Sequence, residues 1–445
     1  MRTYKAIIIT LLVTAVIIVS TGCLSISADD LYSLPEVSEE YLRLQAQINM
    51  VLSSGAAYAP PTRGLNRQAI QLCDIDGDGI NEVIAFFTFP SERKLKIYVF
   101  TLVDEDYIAA EIIESVGTEI ESVRYIDMNN DGSMEIIIGW QMGSTLKYMS
   151  IYSIVDFHSQ LIVSGEEYSE ITAYSFGGGG TDVVLIKLPT QEAGNATAKL
   201  YSLMQDGEIV AQEARLSAGI ESINRILTGN LADNVPAVFI ESEGRFDNGS
   251  LVTDILAMQN GSFANITINP VSGISVDTVR HRMNSLDVGG DGVILVPALR
   301  RLIAQSETEY FAIDWYAYRS DGSRTIDITT YHNTFDEWYL ILPRDWREKV
   351  SVRREDSVPG ERTIIFSYVE AASDEKYDDF LAIYKLSGEN AQERAQQGNR
   401  TLLMTEGSAA YAFELLAPPN SFGITFSEEM VRENFRLIHA EWQQR

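Results

Sequence analysis

The chain has 445 residues, 45% of them apolar, which is enough material for two or three hydrophobic cores. Its 63 acidic residues outnumber the 34 lysines and arginines, giving a net charge of −29 at pH 7. Because phosphate groups would be repelled by such a surface, the charge argues against a nucleic-acid binder. It indicates an acidic extracellular surface, and it also allows part of the negative charge to be gathered into cation sites.

Residues 1–22 have the pattern of a lipoprotein signal peptide. Two cations precede an apolar run over residues 6–19, which is short for a membrane-spanning helix. The segment 20–23 resembles a bacterial lipobox, although Ser20 stands where the motif prefers leucine. Cys23 is therefore predicted to carry the lipid that holds the chain on the extracellular side of the cell membrane. An ordinary signal peptide and an uncleaved anchor are the alternatives.

A polar tether is predicted over residues 23–37, followed by a helix and a lead-in over residues 38–66. Ser38 suits the N-cap position, and apolar side chains recur at three- and four-residue spacing from Tyr41 to Leu52. We expect this amphipathic helix to pack against the first group of strands.

Two nine-residue loops carry the strongest chemical signal in the chain. Oxygen-bearing side chains occupy positions 1, 3, 5 and 9 of each loop, position 6 is glycine, and an apolar run follows. Calcium takes about six to eight oxygen ligands, and alternate residues of a tight loop can point toward one ion, with the carbonyl of position 7 completing the shell. The predicted calcium ligands are Asp74, Asp76, Asp78, Ile80 and Glu82 in loop one, and Asp127, Asn129, Asp131, Ser133 and Glu135 in loop two.

An EF-hand is the obvious competing interpretation of these loops. It would need a bidentate glutamate at position 12 and a helix on each side. Position 12 is Ala85 in loop one and Ile138 in loop two, and both residues lie in strand-like apolar runs. The EF-hand is therefore rejected. A metal-free turn remains as the alternative, and it is disfavoured because closely packed carboxylates repel one another without a cation.

The pattern of strands around the loops recurs along the chain. Four strands are predicted around each of loops one and two, whose first residues are 53 positions apart. A third copy has lost its carboxylates and has glycines at 177–180, so we expect no metal there. A fourth copy begins near residue 219, and a fifth keeps Asp287 and Asp291 without the second acid or the terminal glutamate, which argues against calcium there. Four strands per unit predict a mainly β fold, with a β-propeller of about five to seven blades over residues 67–336.

Residues 337–445 have a different character and are predicted to form a small α+β region. This region is either a separate domain or a set of blades modified to close the ring. Helices are expected over residues 388–397 and 427–442, with strands between residues 338 and 415. A basic cluster in this region indicates either a charged strand edge or a site for an acidic partner or wall polymer. Its members are Arg344, Arg347, Lys349, Arg353 and Arg354.

The Asp-x-Asp-x-Asp-Gly-x-x-Glu loop between strands resembles the FG-GAP, or VCBS-type, repeat of integrin-like propellers. The succession of lipobox, short helix, propeller and C-terminal α+β region is similar to that of VCBS-repeat lipoproteins of gut clostridia. This resemblance spans nearly the whole chain, and the acidic loops are its most specific part. It implies a calcium-loop propeller at the cell surface, with the ten loop residues named above as ligands. It implies no enzymatic activity.

A non-enzymatic surface module is the function that the sequence favours. The four histidines are scattered singly, and the sequence contains no recognisable catalytic constellation. We expect a monomer that is held at the membrane by its lipid and binds a protein, a glycan or a wall component. A carbohydrate-active hydrolase or lyase is the main alternative, and it would need two carboxylates roughly 5–10 Å apart in a cleft. An accessory role in envelope assembly also stays open.

Overall fold

The structure is a computed structural model that describes residues 39–438, apart from 116, 156–157, 190–194, 247–249, 282, 306 and 371–375. The predicted signal peptide, the tether and the lipid-attachment residue Cys23 lie outside the described residues. Within the part of the chain that is described, no helix is both long enough and apolar enough to cross a membrane.

Helix α1 spans Glu39–Ser53, as its amphipathic spacing predicts. Its buried Ile48 belongs to the same apolar cluster as Phe87 of the first group of strands. At the start of the helix, the hydroxyl of Tyr107 donates a 2.8 Å hydrogen bond to Glu40. The expectation that this helix packs against the first strands is confirmed.

Twenty-eight strands in the described residues form six sheets, and the prediction of a mainly β fold is confirmed. Sheet one contains β1 (Ala57–Tyr58), β2 (Ile70–Cys73), β3 (Glu82–Phe89), β4 (Lys94–Val103) and β5 (Asp106–Ser115). Sheet two contains β6 (Glu119–Ile126), β7 (Glu135–Met142), β8 (Leu146–Val155) and β9 (His158–Glu167). Sheet three contains β10 (Glu170–Tyr174), β11 (Asp182–Lys187), β12 (Thr197–Leu203) and β13 (Ile209–Arg215).

The remaining three sheets each have five strands. Sheet four contains β14 (Ile220–Asn230), β15 (Pro236–Gly244), β16 (Ser250–Gln259), β17 (Ser262–Asn265) and β18 (Arg280–His281). Sheet five contains β19 (Val296–Arg301), β20 (Phe311–Tyr318), β21 (Arg324–Asn333), β22 (Trp338–Leu342) and, from the chain end, β28 (Phe435–Leu437). Sheet six contains β23 (Val350–Glu355), β24 (Glu361–Val369), β25 (Tyr377–Leu386), β26 (Thr401–Glu406) and β27 (Ala409–Leu415).

Most neighbouring strands follow one another in the chain, so that each sheet is largely an antiparallel meander. Sheets two and three keep strict chain order, β6-β7-β8-β9 and β10-β11-β12-β13. In sheet one, β1 and β2 both pair with β3, and in sheet six β27 lies between β25 and β26. The predicted boundary at residue 337 falls in the hairpin between β21 and β22, both of which belong to sheet five.

The described residues divide into two compact units, one of residues 39–122 with 155, 158 and 159, the other of residues 123–154 and 160–438. Sheet one and α1 lie in the first unit. In the second unit, each large apolar cluster is shared by two sheets that are consecutive in the chain. Sheets two and three share one cluster, three and four a second, four and five a third, and five and six a fourth. Burial of apolar area between successive sheets therefore stabilises this unit.

Helix α2 spans only Ala391–Arg394 and is shorter than the predicted helix over 388–397. Asn390, immediately before it, has φ +55°, a left-handed conformation that an α-helix does not continue through. Short 3₁₀ turns complete the helical structure in the described residues, at Val276–Thr278, Arg344–Trp346 and Ser421–Gly423.

The chain end corrects a second helix prediction. A helix is predicted over residues 427–442, but α3 spans Glu428–Asn434 and ends where β28 begins. Strand β28 pairs with β22 and so supplies hydrogen-bond partners to a strand that would otherwise be an exposed edge. Its alternating pattern buries Phe435 and Leu437. These apolar positions fit a helix or a strand locally, and pairing with the sheet decides between them.

Candidate metal centres

Loop one connects β2 to β3, and its backbone amides hold the acidic side chains in place. The N–H groups of Gly77 and Gly79 donate to the two carboxylate oxygens of Asp74, at 2.9 and 3.0 Å. The N–H of Ile80 donates to Asp78 Oδ1 at 2.7 Å. Gly79 has φ +90°, a conformation that residues with a side chain rarely adopt. The glycine at position 6 is therefore required by the turn itself.

The three aspartates of loop one converge. One carboxylate oxygen from each of Asp74, Asp76 and Asp78 lies within 4.8 Å of the others. Two oxygens on opposite sides of a calcium ion are separated by about 4.8 Å, twice a typical bond length, so these three oxygens fit around one ion. Asp74 and Asp76 are half-buried and Asp78 is exposed. Hard, anionic oxygen donors in this arrangement suit calcium, and without a cation their charges repel.

Loop two, between β6 and β7, has the same backbone arrangement. The N–H of Gly132 donates to Asp127 Oδ2 at 3.1 Å, and the N–H of Ser133 donates to Asp131 Oδ1 at 2.8 Å. The side-chain amide of Asn129 donates to the other oxygen of Asp131 at 2.8 Å. Burial acts to raise the pKa of Asp131, but the hydrogen bonds from Ser133 and Asn129 outweigh it and lower the pKa. Loop two therefore offers two aspartates and one neutral amide.

The acidic loop before β19 folds in the same way with fewer donors. Its Gly292 N–H donates to Asp287 Oδ2 at 2.9 Å, and its Val293 N–H donates to Asp291 Oδ1 at 3.0 Å. Position 3 is a glycine and position 9 is Leu295. Two of the four oxygen-bearing side chains are thus missing, and the absence of calcium from this loop stays a prediction.

The acid at position 9 points back into its own sheet. Glu82 is 2% exposed, and its two oxygens accept hydrogen bonds from the N–H of Ile75 at 2.9 Å and the hydroxyl of Thr101 at 3.3 Å. Burial raises the pKa of Glu82, against the opposing effect of the bond from Ile75. In loop two, Glu135 accepts a 2.9 Å bond from the N–H of Met128 in the same way. Each of these acids ties position 2 of its loop to the start of the next strand.

The third copy of the loop keeps this position-9 acid, which the sequence analysis missed. Asp182 accepts a 3.0 Å bond from the N–H of Phe176 and a second bond from the hydroxyl of Ser202. Thr101 on β4 of sheet one and Ser153 on β8 of sheet two provide the equivalent hydroxyls. The prediction that the third copy has lost its carboxylates is therefore wrong for this last acid. Positions 1, 3 and 5 are Ser175, Gly177 and Gly179, and the absence of metal from this loop stays a prediction. The loop is one residue shorter, which moves its acid out of the expected register.

The basic cluster is largely matched by acidic neighbours. Arg353 donates two hydrogen bonds to Asp379, at 2.6 and 2.9 Å, and Arg354 lies 2.6 Å from Asp356. Both arginines lie on β23, which ends the strand order of sheet six. This arrangement favours the interpretation as a charged strand edge.

No protein-family model matches the chain, and no curated protein shows a significant match to it.

Proposed function

We propose that this protein is a lipid-anchored protein of the bacterial cell surface. Its extracellular part is a calcium-stabilised β-propeller that binds a protein, a glycan or a wall component. The observation that carries the proposal is the convergence of three carboxylates within 4.8 Å in loop one. The same backbone hydrogen bonds in loop two support a second ion.

Two calcium ions per chain are proposed, one in each complete loop. The carboxylates and amide at positions 1, 3 and 5 supply most of the donors, and position 7 supplies its carbonyl. The acid at position 9 closes each loop by accepting a hydrogen bond from the N–H of position 2. The proposed sites consist of Asp74, Asp76, Asp78, Ile80 and Glu82 in loop one, and of Asp127, Asn129, Asp131, Ser133 and Glu135 in loop two. Calcium is favoured over magnesium because calcium accepts crowded and irregularly placed oxygen donors, whereas magnesium demands a small octahedral shell.

The propeller is proposed from the repetition of sheets. Sheets one to five lie mostly within residues 67–336, where the sequence predicts about five to seven blades, and sheet six follows them within the predicted C-terminal region. In the second unit, each sheet shares an apolar cluster with the next, which is the packing that successive blades need. Propellers commonly present the loops between strands as a binding face, and this supports a binding role rather than an enzymatic one.

The binding role is tested by capture from bacterial wall and host extracts. The purified protein is immobilised in 1 mM calcium and, separately, in EDTA. We expect a specific partner that is retained in calcium and lost in EDTA, and that a variant with both Asp76→Ala and Asp131→Asn fails to retain. Release of sugar products from a wall polysaccharide by the purified protein would instead establish the enzymatic alternative.

The lipid anchor makes a separate prediction. Cys23→Ala is expected to move the protein from the membrane fraction to the soluble fraction, because the acyl chains that hold it can no longer be attached. Cys73→Ala is the matched control and should leave the protein in the membrane fraction, since Cys73 lies at the end of β2 in the folded part. Retention of Cys23→Ala in membranes would point to an uncleaved N-terminal helix.

A further inference from the structure

The glycine-rich loop of sheet three is a copy of the metal loops that closes without metal-binding side chains. It connects β10 to β11, and its glycines at 177 and 179 have φ values of +94° and +99°. Asp182, which is 6% exposed, accepts hydrogen bonds from Phe176 N–H at one end of the loop and from Ser202 on the neighbouring strand. One buried acid thus fixes a loop that has neither the charge nor the donors to bind an ion itself.

This glycine-rich loop lies directly against the backbone of loop two. A Cβ atom placed on Gly180 would lie 1.9 Å from the carbonyl oxygen of Met128 and 2.8 Å from the backbone nitrogen of Asn129. The next residue, Thr181, donates its N–H to the carbonyl oxygen of Asp127 at 3.2 Å. The contacts therefore fall on positions 1, 2 and 3 of loop two, two of which are proposed to bind calcium through their side chains.

Loop two has more need of external support than loop one. Position 3 is the neutral amide of Asn129, where loop one has the carboxylate of Asp76. A weaker set of donors retains an ion only if the donors are already placed, because any ordering on binding reduces the affinity. Backbone contact from a rigid neighbouring loop provides that placement.

We propose that the glycine-rich loop is a metal-free buttress that holds loop two in its calcium-binding shape, with Gly180 as a positioning residue. The buttress rests on the proposed calcium function. Only glycine permits the close approach at position 180, and Asp182 keeps the buttress rigid in the presence or absence of calcium. The glycine run that the sequence displays thereby acquires a role in metal binding although it contacts no metal.

The test is a calcium titration by calorimetry on the full chain carrying Asp76→Ala, which removes a donor from loop one and leaves loop two as the main site. Adding Gly180→Ala is expected to weaken calcium binding by about tenfold, because the new methyl group pushes loop two out of shape. Gly178→Ala is the matched control, since a Cβ there meets nothing within 4 Å, and it should leave the affinity unchanged. Equal affinities for the two alanine variants would overturn the proposal.

The calcium affinity of loop one distinguishes a specific effect of Gly180→Ala on loop two from a general disturbance of the fold. In an Asp131→Asn background, where loop one is the main site, Gly180→Ala should leave the calcium affinity unchanged. If the calcium affinity of loop one falls as well, a comparison of two substitutions at Asp182 tests the proposal instead. Asp182→Ala should then weaken calcium binding by loop two. Asp182→Asn should not, because its amide oxygen can accept from the N–H of Phe176 while its amide N–H donates to the Ser202 hydroxyl oxygen. Equal calcium affinities for these two variants would overturn the proposal. An unmodified chain that binds no calcium would overturn the proposed function together with the buttress.

Discussion

Arg280→Met is expected to lower the free energy of unfolding by about 3–5 kcal/mol, because it leaves a buried carboxylate without its cation. Arg280 Nη2 donates to Glu241 Oε1 at 2.6 Å, and the two side chains are 3% and 0% exposed. The guanidinium also donates to the hydroxyl of Thr253 at 2.7 Å, and the N–H of Ser285 donates to the same glutamate oxygen at 2.6 Å. This pair fixes the segment that leads from sheet four to the acidic loop before β19.

Denaturant unfolding of the variants measures this effect. Arg245→Met is the matched control, because Arg245 pairs with Glu221 in the same sheet at 3.0 Å, with side chains 57% and 59% exposed. Arg245→Met is expected to lower the free energy of unfolding by less than about 1 kcal/mol, as for most exposed ion pairs. Adding Glu241→Leu to Arg280→Met should restore much of the lost stability, because the uncompensated charge is then removed. A loss for Arg280→Met as small as that of the control would contradict this account of the pair.

Chelation of calcium is expected to lower the free energy of unfolding by about 3 kcal/mol in 1 mM calcium. With a dissociation constant of ~0.1 mM, typical of the tighter extracellular sites, each occupied loop contributes about 1.4 kcal/mol. Asp76→Ala and Asp131→Asn should each remove about half of the calcium-dependent increment while leaving the stability in EDTA nearly unchanged. Unfolding curves that coincide in EDTA and in calcium would contradict the proposed sites.

Magnesium provides the control for ionic strength and for non-specific charge screening. At the same concentration it should stabilise the protein far less, because it loses its waters reluctantly and demands octahedral geometry. Stabilisation by magnesium equal to that by calcium would indicate screening of the acidic surface rather than occupancy of the loops.

Much of the fold could be predicted from sequence because its determinants are local. The first half of strand β4 alternates half-buried and buried positions, and β7 has an almost wholly buried run, the two patterns expected of strands. The spacing of apolar residues in α1 and the Asp-Gly pattern of loops one and two are likewise contained in short windows. The structure accordingly has α1 and the strands around loops one and two where these patterns lie.

The features that escaped prediction depend on contacts between distant parts of the chain. Glu241 and Arg280 are 39 residues apart, and no local pattern indicates that they meet. Asp182 was hidden by a one-residue shortening of its loop, and only its hydrogen bond to Phe176 reveals the correspondence with Glu82. The helix predicted at the chain end gives way to β28 because β22 offers an unpaired edge, which is a property of the assembled sheet.

Direct measurement of bound calcium tests the central claim. Equilibrium dialysis of the full chain against radioactive calcium at millimolar concentration should give two ions per chain. The variants Asp76→Ala and Asp131→Asn should each bind one ion less at the same concentration, and the double variant should bind close to none. Absence of bound calcium in the unmodified chain, or the same stoichiometry in all four proteins, would contradict the assignment of the ions to loops one and two.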